Sequence, residues 1–424
     1  MVKAKRIPIL HTCLVSVLLL LGSSATSGRT WIIDPVPGQA VLAKAVAKAG
    51  AGDTLLINSG QYYEHGIVID KPLTIIGIDF PEIDGQDQGE IMTVIAHHVT
   101  VEGLHFKNVG VSYLKDHSGL RIKRRGNAVI RNNKFSNTFF GIYLERVTNA
   151  LVTDNEIVGV PRDEASSGNG IHAWHCEELR IERNRVTGHR DGIYFEFVNN
   201  STIAHNHSIG NRRYGLHFMF SNHDVYEHNR FAENGAGVAV MFSKFIDMRH
   251  NVFFHNWGRA SYGLLLKEIY DAIIEDNAFR QNTIAINIEG STRITYRRNE
   301  FSRNGWAIKM AGGCLDNEIT QNDFRSNTLD LVLNSHVNNN TFSGNYWSEY
   351  TGYDLDKDGI GDVPHRPVKL FSYILDRTPE AIALLRSFFV RLMNFSEKVS
   401  PAFTPANVLD HQPHMQPYHY DHLQ

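Results

Sequence analysis

The sequence predicts an all-β fold: a right-handed parallel β-helix, a solenoid of about 22-residue coils with an N-terminal helix cap and a C-terminal helix. Three observations predict it. An Asn-x-hydrophobic motif recurs with Asn at 133, 155, 184, 206, 229, 251, 277, 299, 322 and 340. A small residue followed by alternating apolar residues recurs at Gly119, Gly141, Gly170, Gly192, Gly215, Gly237, Gly263, Ala285, Ala307 and Asp330. The usual step is 22 or 23 residues, and both series lengthen after Asn155 and after Asn251, so loops grow there from single coils. A short period with strict apolar alternation means stacked short parallel strands, whereas a β-propeller needs about 40 residues per blade. Right-handedness follows from the general rule for parallel crossovers.

The elements follow in order. Residues 1–28 read as a cleaved signal peptide: Lys3, Lys5 and Arg6 precede an apolar run over 7–21 that is short of the ~20 residues needed to span a bilayer. Residues 29–118 form the N-terminal cap and first coils, with an amphipathic helix from Gln39 to Ala49 hiding the open end of the stack. Residues 119–348 are the regular repeats. Two residues after each Asn comes an apolar column of Phe135, Ile157, Val186, Phe231, Phe253, Phe279, Phe301, Phe324 and Phe342, broken only by Ser208. Stacked about 4.8 Å apart, these side chains fill the interior. The Asn residues suit bends because they tolerate left-handed backbone and their amides can bond from coil to coil. A second Asn series at 211, 234, 256, 282, 304, 327 and 345 marks a further bend. Residues 349–370 form an acidic DxDxDG loop. Residues 371–399 are a helical region, starting at Thr378-Pro379-Glu380 and expected to cap the last coil, with docking on another protein as the alternative. Residues 400–424, with four prolines, are expected to be a flexible His/Pro-rich tail.

Composition narrows the function. The 424 residues carry 42 Lys+Arg against 45 Asp+Glu, a formal charge of -3, which gives no field for nucleic acid or an anionic membrane. Three Cys exclude a disulfide scaffold and a CxxC zinc site, while 22 His is a high count.

The N-terminal signal, the N-x-[FI] and G-I-x-[LF] coils, the segment NYWSEYTGYDLDKDGIGDVPHRPVKLF (345–371) and the terminal helix together resemble the NosD-type periplasmic accessory proteins of nitrous-oxide reductase maturation. The resemblance covers essentially the whole mature chain and is most specific from Asn345 to Leu370. It implies a periplasmic, non-enzymatic, copper-handling protein that helps assemble the reductase copper centre. The implied partners are the permease and ATPase subunits of an ABC transporter, a copper-carrying lipoprotein and nitrous-oxide reductase itself, with the membrane met only through partners. The rival readings are a β-helix lyase, hydrolase or epimerase acting on carbohydrate, and a surface solenoid. Glu145 and Glu196, outward and two coils apart, are the carboxylate pair an enzyme would use. Isolated surface glutamates are the plainer reading.

The metal expectations rest on residue chemistry. On the Gly-led strands positions +1 and +3 are apolar, so +2 and +4 face outward. There His172 and His217 at +2, with Met219 and Met241 at +4, form a candidate Cu+ site, since thioether and imidazole suit that soft ion. Trp174 and Phe220 flank it, and His175 and Cys176 stand as further ligands. An apolar patch for a partner or a covering loop is the competing reading. Asp354, Asp356, Asp358 and Asp362 match the first half of a Ca2+ loop with Gly359 at the sixth position, but His365 replaces the closing Glu at the twelfth. His411, His414 and Met415 give the tail the composition of a copper-binding tract. His205, His228 and His250 are expected to stack as a solvated ladder.

Overall fold

The computed structural model describes residues 28–112, 114–160, 167–258, 261–334, 338–385, 387–399 and 408–418. It is the expected right-handed parallel β-helix. Three parallel sheets run its length: one of 14 strands from Thr30–Ile33 to Thr341–Ser343, a second of 13 from Gln61–Tyr63 to Tyr346–Trp347, and a third of 12 from Ile67–Ile69 to Leu329–Leu333. Each coil visits them in turn, as in Thr202–Ala204, His207–Ile209 and Tyr214–Met219.

The sequence columns become physical stacks. Phe253, Phe279, Phe301 and Phe324 are fully buried, with successive ring centroids 4.4, 5.2 and 4.9 Å apart. The Asn column is a buried hydrogen-bond ladder. Asn206 donates from its backbone N (2.9 Å) and from Nδ2 (3.1 Å) to Asn229 Oδ1, and Asn229 repeats the pattern onto Asn251. Nδ2 of Asn206 also donates to the carbonyl of Ile181 in the coil before (2.7 Å). The amide is thereby satisfied inside the solenoid, where an unpaired one costs most.

Two details differ from the sequence expectation. The left-handed backbone lies on the residue before each ladder Asn, for example His205, His228 and Asp276 at φ 56°, 54° and 54°. At the C-terminal end the ladder runs from Asn322 to Asn345, not Asn340, and the aromatic column runs from Phe324 to Trp347 (4.1 Å), not Phe342. Asn340 and Phe342 belong to the first sheet, where Phe342 pairs with Ile319 and Asn340 accepts from Asn317.

Helix α1 (Val41–Lys48) closes the N-terminal end, burying Leu42 and Val46 in the main core. Its first turn is capped from outside: Glu64 accepts from the N–H groups of Leu42 (2.7 Å) and Ala43 (3.0 Å).

The C-terminal helices do not cap the stack. Phe371 and Leu375 of α2 (Leu370–Arg377) and Val390 of α3 (Phe388–Val399) pack on Leu329 and Val332, on the outer flank of the third sheet. Leu329 continues the apolar column of Ile284 and Trp306, and Val332 replaces Asn287 and Lys309 in its column, so an apolar patch forms there and recruits a cover. The end is closed instead by part of the tail, which packs against the last coil over 408–418. Asp410 is fully buried there. Its carboxylate accepts from the N–H of Gly344 (3.2 Å) and Asn345 (3.1 Å), from Nδ2 of Asn345 (3.1 Å) and from Nε1 of Trp347 (2.9 Å). It occupies the rung after Asn345. The expected signal peptide lies outside the described residues. No described helix is long and apolar enough to cross a membrane.

Candidate metal site on the third sheet

Strand register fixes which side chains share the outer face. The +2 positions align as Tyr143, His172, Tyr194, His217, Ala239 and Leu265. The +4 positions align as Glu145, Trp174, Glu196, Met219, Met241 and Lys267. Met219 and Met241 are therefore direct neighbours on adjacent strands, about 4.8 Å apart along the stack. His217 lies two residues before Met219 on the same strand and the same face.

The +2 column is less open than its outward direction suggests. His217 is 3% exposed, enclosed by the rings of Tyr194 (5.0 Å) and Tyr214 (4.8 Å). Its Nδ1 lies 3.4 Å from Oδ2 of fully buried Asp191, and its buried Nε2 has no hydrogen-bond partner. His172 stacks on the other side of Tyr194 at 4.8 Å, and Asn169 Nδ2 meets its Nδ1 at 3.0 Å. Burial, with Arg121 and Arg190 nearby, pushes the His172 imidazole down to about 3, so it is neutral. The tyrosine ring stands between the two imidazoles, so His172 and His217 are not brought onto one ion. Of the expected residues, the register leaves His217, Met219 and Met241 on neighbouring positions of one face.

The surroundings are soft. Phe197, Phe220 and Phe242 follow the +4 column and stack at 5.1 and 5.2 Å, each with left-handed backbone. Ala239 and Leu265 form an apolar cluster against which Met241 packs. His175 joins the same turn column, 4.6 Å from Phe197. Cys176 is not a surface ligand. It lies in the core, donates to the carbonyls of Leu144 and Trp174 (both 3.4 Å), and burial pushes its thiol up to about 12.

The other expected sites divide. Asp354, Asp356 and Asp358 bring ligand oxygens within 4.8 Å of one another, the one such trio of His, Cys, Asp or Glu among the described residues. Crowding by Asp358 raises Asp356 above the usual carboxylate range. Asp362 instead accepts from the Leu355 N–H (2.7 Å). His365 faces Trp347 and Tyr350, and burial with Lys369 nearby holds it down to about 3. In the tail, His414 stacks on Tyr418 (4.6 Å) with Nδ1 2.6 Å from the Gln416 carbonyl, while His411 is exposed. Met415 donates its backbone N–H to Gly359 (2.9 Å). His205, His228 and His250 stack face to face at 4.9 and 4.8 Å, as the ladder reading expects. Parallel rings at that spacing point their lone pairs side by side rather than at one ion.

The carboxylates an enzyme would use are engaged or apart. Glu145 pairs with Arg121 (3.4 Å), Lys123 (3.6 Å) and Arg124 (3.9 Å), Trp174 stands between it and Glu196, and Glu196 accepts from Tyr194 (3.3 Å). Asp191 was not singled out from sequence. The signal was a charged residue just before a Gly-led strand, where most coils carry an apolar or small one.

Comparison with known proteins places this geometry in a family context. Residues 159–352 match the family model described as "Periplasmic copper-binding protein (NosD)", and residues 61–174 match the "Right handed beta helix region". The chain is 29% identical over 380 residues, 84% of its length and 86% of the relative's, to a "Probable ABC transporter binding protein NosD" from Pseudomonas aeruginosa. It is 27% identical over 377 residues to the protein of the same name from Stutzerimonas stutzeri, covering 84% and 85% of the two chains. Among solved structures it resembles the Family 28 exopolygalacturonase of Yersinia enterocolitica (TM-score 0.58, 10% identity, 74% of this chain and 79% of that one). It also resembles gene product 12 of bacteriophage phi29 (TM-score 0.56, 12% identity, 73% and 50%). Those two likenesses concern the fold alone. The NosD match lies over the coils that carry the Met219–Met241 patch, and two NosD relatives align along most of the chain, so along most of its length this chain is similar to NosD-type proteins.

Proposed function

We propose that this chain handles copper in the periplasm as an accessory to assembly of the copper centre of nitrous-oxide reductase. In this reading it works beside the permease and ATPase subunits of an ABC transporter and takes Cu+ from a copper-carrying lipoprotein. The family description and the relatives' names support the copper and transporter parts. The segment 1–28 supports export by its basic and then apolar pattern.

The observation that carries the reading is the pair of thioethers on successive coils beside a buried imidazole with an unpartnered nitrogen. The fit is chemical: two thioether sulfurs and an imidazole nitrogen suit Cu+ better than Zn2+ or Ca2+. His217, Met219 and Met241 would hold the ion, and the phenylalanine stack beside them would limit water. The exposed apolar residues of α3, Phe388, Phe389, Leu392 and Phe395, are the natural face for the membrane partner.

The test is Met219→Leu with Met241→Leu, which keeps the apolar volume and removes both sulfurs. A drop in Cu+ affinity of about tenfold or more in chelator competition is expected, with impaired reductase maturation in cells. Unchanged affinity and normal maturation would place the metal elsewhere.

A further inference from the structure

The copper reading leaves one buried group unused. Asp191 opens the strand Asp191–Glu196, one coil before His217, and its side chain is fully buried. A buried carboxylate is costly unless it is bonded. Its Oδ2 lies 3.4 Å from His217 Nδ1 and 3.9 Å from Arg190 Nη2, while Oδ1 has no partner. The backbone places it where it would otherwise be a liability, since the coils on either side carry Asn169 and Tyr214 in this column.

The imidazole on the other side of this contact is equally constrained. Tyr194 and Tyr214 hold the ring from two directions, and Nε2 is buried and unpartnered. In free histidine the proton prefers Nε2, which would leave no lone pair there for a metal. A carboxylate at Nδ1 reverses this. It accepts a hydrogen bond from Nδ1–H, fixes the ring's orientation and frees the Nε2 lone pair.

We propose that Asp191 is the positioning residue of the copper site, holding His217 as the Nδ1–H tautomer so that Nε2 is the ligand nitrogen. The inference rests on the copper reading for its purpose but not for its first test. Asp191 touches no metal in this scheme and acts only through His217.

The first measurement needs no copper. Long-range nitrogen–proton NMR on histidine-labelled protein, with His217 assigned from a His217→Gln variant, reads the tautomer directly. An Nδ1–H signature is expected, and an Nε2–H signature would overturn the proposal. The second measurement is Cu+ affinity by chelator competition for Asp191→Ala, with circular dichroism confirming the fold. The tautomer signature should be lost, and affinity should fall by about 10- to 100-fold, the usual effect of removing a ligand's supporting carboxylate. Unchanged affinity in the folded variant would overturn the proposal. If Asp191→Ala does not fold, the wild-type tautomer decides by itself. An unaffected Met219→Leu with Met241→Leu protein would instead sink the copper reading, whatever the tautomer proves to be.

Discussion

A single ladder Asn shows how much one side chain carries in this molecule. Asn229 accepts two bonds from Asn206 and donates to Ile203 (2.8 Å) and to Asn251 (3.0 Å). Asn229→Ala removes all four and strands buried donors and acceptors in the adjacent coils, so a loss of about 3–5 kcal/mol is expected in urea unfolding. Buried His189 and partly buried His365 act through protons instead. Burial pushes His189 down to about 4 and His365 to about 3, from an ordinary 6.5. Both bind a proton more readily when unfolded. Their stabilising effect is therefore complete above the unfolded value and is lost as pH falls through 6.5 towards the folded values. Each should lower stability by about 2 kcal/mol between pH 7 and pH 5, and His189→Gln and His365→Gln should each flatten the stability-versus-pH curve.

At the scale of elements, the sequence was most legible where a column repeats. Inward Ile142 and Leu144 and outward Tyr143 and Glu145 follow from alternation alone, and the Met219–Met241 adjacency follows from the period. It was least legible where neighbours come from far along the chain. Nothing local marks Asp410 as the partner of Asn345, 65 residues away, or sets α2 on the flank of the strand Leu329–Leu333. The slip from Asn345 to Asn340 has a simpler cause. The motif recurs in a neighbouring sheet, and its step there drops to 18 residues, which breaks the period. The site was half legible for the same reason. Residue types named the donors, but only the packed rings show that Tyr194 separates His172 from His217. The acidic loop is an element whose role is still a proposal. A Ca2+ ion should relieve the crowding of Asp354, Asp356 and Asp358, so calcium should raise the melting temperature and slow proteolysis near residue 355. Asp356→Asn should abolish both effects, and a titration that changes neither would remove the site.

For the whole molecule, stability resides in contacts between successive coils, so the two ends decide whether the stack is closed. Glu64 and α1 serve one end and the segment around Asp410 the other. A chain ending at Ser400 should lose the second. It would bare the N–H groups of Gly344 and Asn345 and Nε1 of Trp347, lower the melting temperature, and raise light scattering with protein concentration as open edges pair. Identical scattering and melting for the two chains would contradict this role.

The Asp410 rung has a consequence in the language of polymer growth. Every Asn in the ladder is bifunctional: its oxygen receives from one coil and its nitrogens give to the next, so each rung can propagate another. Asp410 has the same shape and the receiving oxygens, but its side chain has no amide nitrogen with which to give. It accepts the last pair of donors from Asn345 and passes nothing on. The carboxylate is thus a chain terminator, and changing one amide to one acid is enough to end a column that would otherwise present a growing face to another copy of itself.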